Sequence, residues 1–212
     1  MAILTNFGVP VPGASGTTLM PKLQYRFRVT FHNLAGSDKA SEISRNIVSV
    51  SRPAMDHDDV TIDMYNSKVR LAGKHTWQDI TLVIRDDVSS EVVKLLGQQL
   101  NTQVDHADQT SAQAGGDYKF GMTIETLDGS QDAGAGAVLD QWHLAGCFIP
   151  SLQYGDLNYG TSDAVQITAT IRFDNASNHI GAGGVDVLSG GKTKHVKKVS
   201  SGGGRFHGGA GR

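Results

Sequence analysis

Leu23-Gln24-Tyr25-Arg26-Phe27-Arg28-Val29-Thr30-Phe31-His32 puts an apolar or aromatic side chain at every odd position and a polar one at every even position. Successive side chains of a strand point to opposite faces, so a period of two means one face in a core and one in water. The pattern returns late in the chain, in Val165-Gln166-Ile167-Thr168-Ala169-Thr170-Ile171-Arg172-Phe173-Asp174. Weaker strand patterns lie between them, at 42–50, 60–64, 68–71, 77–85, 118–127 and 138 to about 152. Two-faced strands in series predict a mostly β fold, an antiparallel sandwich or small barrel.

One helix interrupts the strands. Ser89 or Ser90 can cap it, Glu91 suits the positive end of the dipole, and Val92, Leu96, Leu100 and Val104 recur every four residues. The spacing predicts a helix over 89–104 flanking the β core, with Lys94, Gln98 and Asn101 outward. Residues 107–117 and 128–137 read as surface loops. Residues 1–21 form an uncharged arm broken by Gly8, Pro10, Pro12, Gly13, Gly16 and Pro21. At the other end, 11 of the residues in 181–212 are glycine. The expected organisation is an arm at 1–21, a β domain at 22–178 and a Gly-rich basic extension at 179–212.

Composition narrows the function classes. The chain has 212 residues, of which 39% are hydrophobic, and its opening lacks a basic segment before an apolar one. No apolar run reaches the roughly 18 residues of a membrane span. A lone cysteine, Cys147, leaves no intrachain disulfide and no Cys-rich metal site. These features predict a soluble chain of a reducing compartment with no membrane span. The net charge of −2 hides an asymmetry. Residues 181–212 hold six basic side chains and one acidic, whereas residues 1–180 hold thirteen basic and twenty acidic.

Motifs for catalysis fall short of their chemistry. Gly190-Gly191-Lys192-Thr193 lacks the upstream glycine of a phosphate loop, since that position is Asp186, and no strand or helix pattern brackets it. Asp56-His57-Asp58-Asp59 is rich in ligand types, but neighbours on an extended chain point apart, so it reads as a solvated acidic loop. His143 and Cys147 sit four apart in a buried-looking run, where a small core cysteine is expected. No Gly-x-Ser-x-Gly elbow occurs, and the Asn175-Ala176-Ser177 sequon carries no weight without a secretory route. The expectation is a non-enzyme with no cofactor, no metal and no catalytic residue.

The stretch 48–85 has a recognisable order. A strand ends in Ser51-Arg52-Pro53, a polar excursion runs through Val60-Thr61-Ile62-Asp63-Met64, and then comes Ala72-Gly73-Lys74-His75-Thr76-Trp77-Gln78-Asp79. A strand ending in Asp86-Asp87 follows and leads into the helix. This resembles the inner tail tube protein of contractile-tailed bacteriophages, over about residues 22–176. The resemblance implies a β-sandwich or small barrel with one flanking helix, shared with the type VI secretion tube protein. It further implies hexameric rings stacked into a tube, with tail sheath, tape-measure, baseplate and tail-terminator proteins as partners. Genomic DNA would pass through the tube, in the tail of a virion assembled in host cytoplasm. A long hairpin at about 52–71 would reach the next ring, with Arg52, Asp56, Asp58, Asp59, Asp63, Lys68 and Arg70 as contact candidates. Gln24, Arg26, Arg28, Gln166, Thr168, Thr170 and Arg172 are candidates to face the channel. Lys192, Lys194, Lys197, Lys198 and Arg205 are candidates for an outer, sheath-contacting tail. The rival readings are a type VI secretion tube component and a nucleic-acid-binding module tracking phosphates with Arg26, Arg28 and the tail. The alternation speaks against the second, because Tyr25 and Phe27 fall on the face opposite the arginines.

Overall fold

The computed structural model describes residues 21–36, 40–129, 138–180 and 185–186. In chain order its elements are β1 (Phe27–His32), α1 (Ala40–Arg45), β2 (Ile47–Val50), β3 (Met55–Met64), β4 (Ser67–Trp77), β5 (Ile80–Arg85) and α2 (Glu91–Gln103). There follow α3 (Gly115–Tyr118), β6 (Phe120–Leu127), β7 (Val138–Gln153), β8 (Gln166–Arg172), β9 (Asn175–Ile180) and β10 (Val185–Asp186).

All strand pairings are antiparallel. β1, β6, the first part of β7, β9 and β10 are joined in that order. The last part of β7 pairs with β8, β8 with β5, and β5 with β2. β7 thus serves two sheets and turns between them at Gly146, where φ is +70°. A Cβ at that position would press on the Asp174 carboxylate, and the positive φ itself favours glycine at the corner. β3 and β4 form a separate two-stranded hairpin.

The core lies between the two sheets. Val29, Phe31, Met122, Ile124 and Leu144 come from one side, and Ile80, Leu82, Ile84, Ile149, Ile167, Ala169 and Ile171 from the other. Burying each large aliphatic side chain contributes about 1.5–3 kcal/mol. α2 adds Val92, Leu95 and Leu96, together with two glutamines that act as pieces of backbone. Gln99, 1% exposed, accepts the Ala35 N–H at 2.7 Å and donates to the Tyr118 carbonyl at 2.6 Å. Gln103 accepts the Ile149 N–H at 2.9 Å and donates to the Ile149 carbonyl at 3.0 Å. It satisfies a buried strand edge as a neighbouring strand would.

Several expectations are corrected in detail. The segment 42–50 is helical through Arg45 before it becomes β2, because Ile43 and Ile47, four apart, suit a helical turn as well as a strand. The main helix starts at Glu91 and ends at Gln103. Ser90 has φ +55° and makes no side-chain cap, while Ser89 Oγ donates to Asp87 Oδ1 at 2.9 Å. Val104 leaves the helix for an isolated bridge to Ser111 and is 40% exposed, so Leu95 and Gln99 complete the buried stripe. A turn of helix, α3, closes the loop at 107–117. The polar strand β9 carries no alternating apolar signal, since Ala176 alone among its side chains is buried. Asp56, Asp58 and Asp59 belong to strand β3, not to a loop, because β4 pairs with Asp56 and Asp59 on either side of a register shift at Asp58.

Candidate assembly interface

The β3–β4 hairpin stands apart from the other described elements: every residue of β3 is exposed, and in β4 only Gly73 and Trp77 are partly covered. Its strands pair from Met55↔Trp77 to Met64↔Ser67, joined by a two-residue turn at Tyr65 and Asn66. At one point Asp58 faces two residues, Gly73 and Lys74, a bulge that advances the register of β4 by one. A Cβ on Gly73 would come within 3.0 Å of the Asp58 carbonyl oxygen, which explains a glycine there.

The bulge matters for which face is apolar. Near the root, Met55, His57, His75 and Trp77 share one face, and Trp77 packs against Phe173 with ring centroids 5.5 Å apart. Continuing outward on that face come the pairs Asp59↔Ala72, Thr61↔Arg70 and Asp63↔Lys68. Arg70 lies 3.4 Å from Asp59, and Lys68 lies 3.3 Å from Asp63. The opposite face of the tip pairs Val60 with Leu71 and Ile62 with Val69, next to Met64. These five side chains are 44–55% exposed. The hairpin therefore leans on its own domain with one face and carries its apolar stripe on the other. Nothing among the described residues covers that stripe.

Two further surfaces flank the core. The outer face of the β1–β6–β7–β9 sheet is a polar lattice. Arg28 donates to Glu125 at 2.5 Å and Gln141 donates to the same carboxylate at 3.0 Å. Thr123 Oγ1 sits between His32 Nε2 at 2.9 Å and His143 Nδ1 at 3.1 Å, and the rings of His143 and His179 are 5.1 Å apart. Burial, reinforced by His179 and His32, holds His143 below its ordinary value against the pull of Glu125. The outer face of the second sheet is uncharged along its middle, with the exposed Arg85 at one end. Cross-strand rows there run Thr81–Thr170–Ser151 and Ser49–Val83–Thr168–Gln153. At the other end Arg172 grips Asp79 through two hydrogen bonds of 2.8 and 2.7 Å, which holds the Asp79 carboxyl below the usual carboxylate range despite some desolvation.

The channel candidates thus fall on two different sheets that share one core. Gln166, Thr168, Thr170 and Arg172 line the outer face of the second sheet, while Arg28 belongs to the polar lattice. Gln24 and Arg26 precede β1, and Arg26 donates to the Asp128 carbonyl. They border a groove of about 870 Å³ between the edges of β1 and β2, which are unpaired among the described residues. Arg52, expected on the hairpin, precedes it instead. Its guanidinium donates to Thr126 Oγ1 at 3.0 Å and lies 3.9 Å from Asp140, which also holds Lys22 at 2.6 Å. Burial pushes the Asp140 carboxyl up, but the hydrogen bonds from Lys22 and Thr126 and the charge of Arg52 outweigh it and leave it below its usual value. Lys192, Lys194, Lys197, Lys198 and Arg205 lie outside the described residues, as do residues 1–20. Cys147 is fully buried, and burial pushes its thiol up to about 12. Among the described residues no helix is long and apolar enough to cross a membrane.

Sequence alternation pointed to the two wet sheet faces, but it missed the histidine lattice. His32, His143 and His179 are 36 or more residues apart, and only the strand order brings them together.

No protein-family model matches the sequence, and no curated protein sequence matches it either. Solved structures do match. The cryo-EM structure of the tube-terminating cap of the anti-feeding prophage contains a chain that is 16% identical, with a TM-score of 0.60, and the match covers 82% of this chain and all of that one. The sheath–tube complex of the extracellular contractile injection system PVC contains another, 18% identical with a TM-score of 0.56, covering 79% of this chain and 99% of that one. A chain of the anti-feeding prophage baseplate matches at 15% identity and a TM-score of 0.55, over 77% of this chain and 98% of that one. The chain has a tail-tube-like fold, shared with chains of these assemblies.

Proposed function

We propose that this chain is a structural subunit that assembles with its own copies into stacked hexameric rings, forming the inner tube of a contractile tail. The observation that carries this reading is the β3–β4 hairpin: a fully exposed two-stranded arm with an apolar stripe turned away from its own domain, on a fold otherwise found in tube, cap and baseplate assemblies. A two-stranded hairpin alone is at best marginally stable in water, and an uncovered apolar patch marks an interaction surface. Another subunit of an adjacent ring supplies the cover, with Asp56, Asp58, Asp59, Asp63, Lys68 and Arg70 flanking the contact.

Within a ring, the edges of β1 and β2 meet neighbouring copies, which removes the exposed edges of a lone sandwich. The threonine and serine rows of the second sheet, with Arg172 neutralised by Asp79, suit a lumen that passes DNA, because a continuous basic lining would hold phosphates in many simultaneous contacts. In this reading Gln166, Thr168, Thr170 and Arg172 line the channel, and the polar lattice of Arg28, with Gln24 and Arg26 nearby, faces neighbours. The basic extension with Lys192, Lys194, Lys197, Lys198 and Arg205 lies on the acidic outer surface beneath the sheath. Tape-measure, baseplate and tail-terminator proteins complete the partners, and the particle is a phage tail that is built in host cytoplasm and ejects DNA. Negative-stain microscopy of the purified full chain tests the reading. Rings or tubes with a central hole are expected, and compact particles at every concentration would refute it.

A further inference from the structure

Because the hairpin and one exposed loop stand at opposite ends of the same sheet, we infer that the hairpin tip of one copy docks into the β7–β8 loop of the next, a head-to-tail contact. This rests on the self-assembly reading above and adds the acceptor to it.

The geometry is set by β5. Its first residue, Ile80, pairs with Ile171 beside the hairpin root, where Gln78 N–H donates to the Ala54 carbonyl at 2.9 Å. Its last, Arg85, pairs with Gln166 where the β7–β8 loop returns, roughly 17 Å further along the strand. The loop carries the second concentration of exposed apolar side chains in the domain. Leu157 is 83% exposed and Tyr159 fully so, with Tyr154 half-exposed. Val88 in the β5–α2 turn is also fully exposed, and that turn is tied to the loop by the Asp86 N–H donating to the Val165 carbonyl at 2.9 Å. Together with Arg85, the loop encloses a concavity of about 750 Å³.

Apolar and charged groups on both surfaces supply partners for each other. Tyr65 projects fully exposed from the turn, beside the apolar stripe of Ile62 and Met64. Lys68 and Arg70 on the tip keep 68% and 76% of their side-chain surface open, despite their pairing with aspartates. The loop offers Asp156 and Asp163 to these cations, and Arg85 in the same concavity offers a partner to Asp59 and Asp63 of the tip. A donor surface at one end and a different acceptor surface at the other make a heterologous contact, which continues from copy to copy unless its rotation closes a ring, whereas a self-complementary contact stops at two copies. That propagation is what a growing tube requires.

The full chain carrying Tyr65→Cys and Tyr159→Cys provides the test, assembled and then treated with a short bis-maleimide. Both positions are fully exposed, so the substitutions leave the core alone, and buried Cys147 stays out of reach of the reagent. The expected result is a ladder of covalent species on a denaturing gel that climbs past dimers, with no cross-linked species from either single variant. Tubes that form normally yet yield no ladder would overturn the docking inference and leave the assembly reading standing. Dimers from the Tyr65→Cys variant alone would overturn it too, by showing a tip-to-tip contact. The unsubstituted chain is assembled alongside, and if it folds but forms no rings or tubes both readings are overturned.

Discussion

The two-sheet domain and the β3–β4 hairpin are built from the same alternation, but the domain buries its apolar rows and the hairpin leaves its row half in water. In β5 and β8, Ile80, Leu82, Ile84, Ile167, Ala169 and Ile171 are at most 1% exposed, while Val60, Ile62 and Val69 of the hairpin are 44–47% exposed. Alternation states that a face wants cover. It does not state whose chain provides the cover. The domain is completed within one copy, and in our account the hairpin is completed by another.

Substitutions should separate these two regions. The largest effect on the folded monomer is expected in the shared core: Ile84→Ala or Ile171→Ala should cost about 2–5 kcal/mol in denaturant unfolding and remove assembly along with stability. Next comes Gln103→Ala, which leaves both the N–H and the carbonyl of Ile149 without their side-chain partner and should cost about 1–3 kcal/mol by the same measurement. A shallower effect belongs to the polar lattice. His143 is held below its ordinary value of 6.5, so the unfolded chain takes up the proton first and stability should fall as pH drops below about 6.5. The variant His143→Gln should flatten that slope in melting curves recorded between pH 7 and 5. Smallest of all should be Ile62→Ser combined with Val69→Ser: unfolding of the monomer shifts by no more than ~0.5 kcal/mol, yet tubes vanish from micrographs. Loss of monomer stability comparable to the core variants would erase the distinction between the two regions.

Much of this was legible in the sequence, for reasons that particular residues make plain. Phe27 to His32 and Gln166 to Arg172 show their two faces directly, because each strand has one side in the core and one in water. The helix was readable from Val92 and Leu96, but its start was not, since Ser90 adopts positive φ and caps nothing. The strand character of Asp56 to Asp59 was hidden because the pairing that extends them comes from β4 and not from their own side chains. The reversal of the hairpin's apolar face depends on a one-residue bulge opposite Asp58, which no periodicity reports. The polar lattice depends on strand order, and β9 had no apolar signal to announce it.

Hydrogen exchange measured on the same preparation before and after assembly probes the central claim most directly. Amides of Met55–Met64 and Ser67–Trp77 should exchange quickly in the unassembled chain and become strongly protected in tubes, while β5 and β8 should be slow in both states. Hairpin amides that exchange equally fast in the two states would contradict the claim.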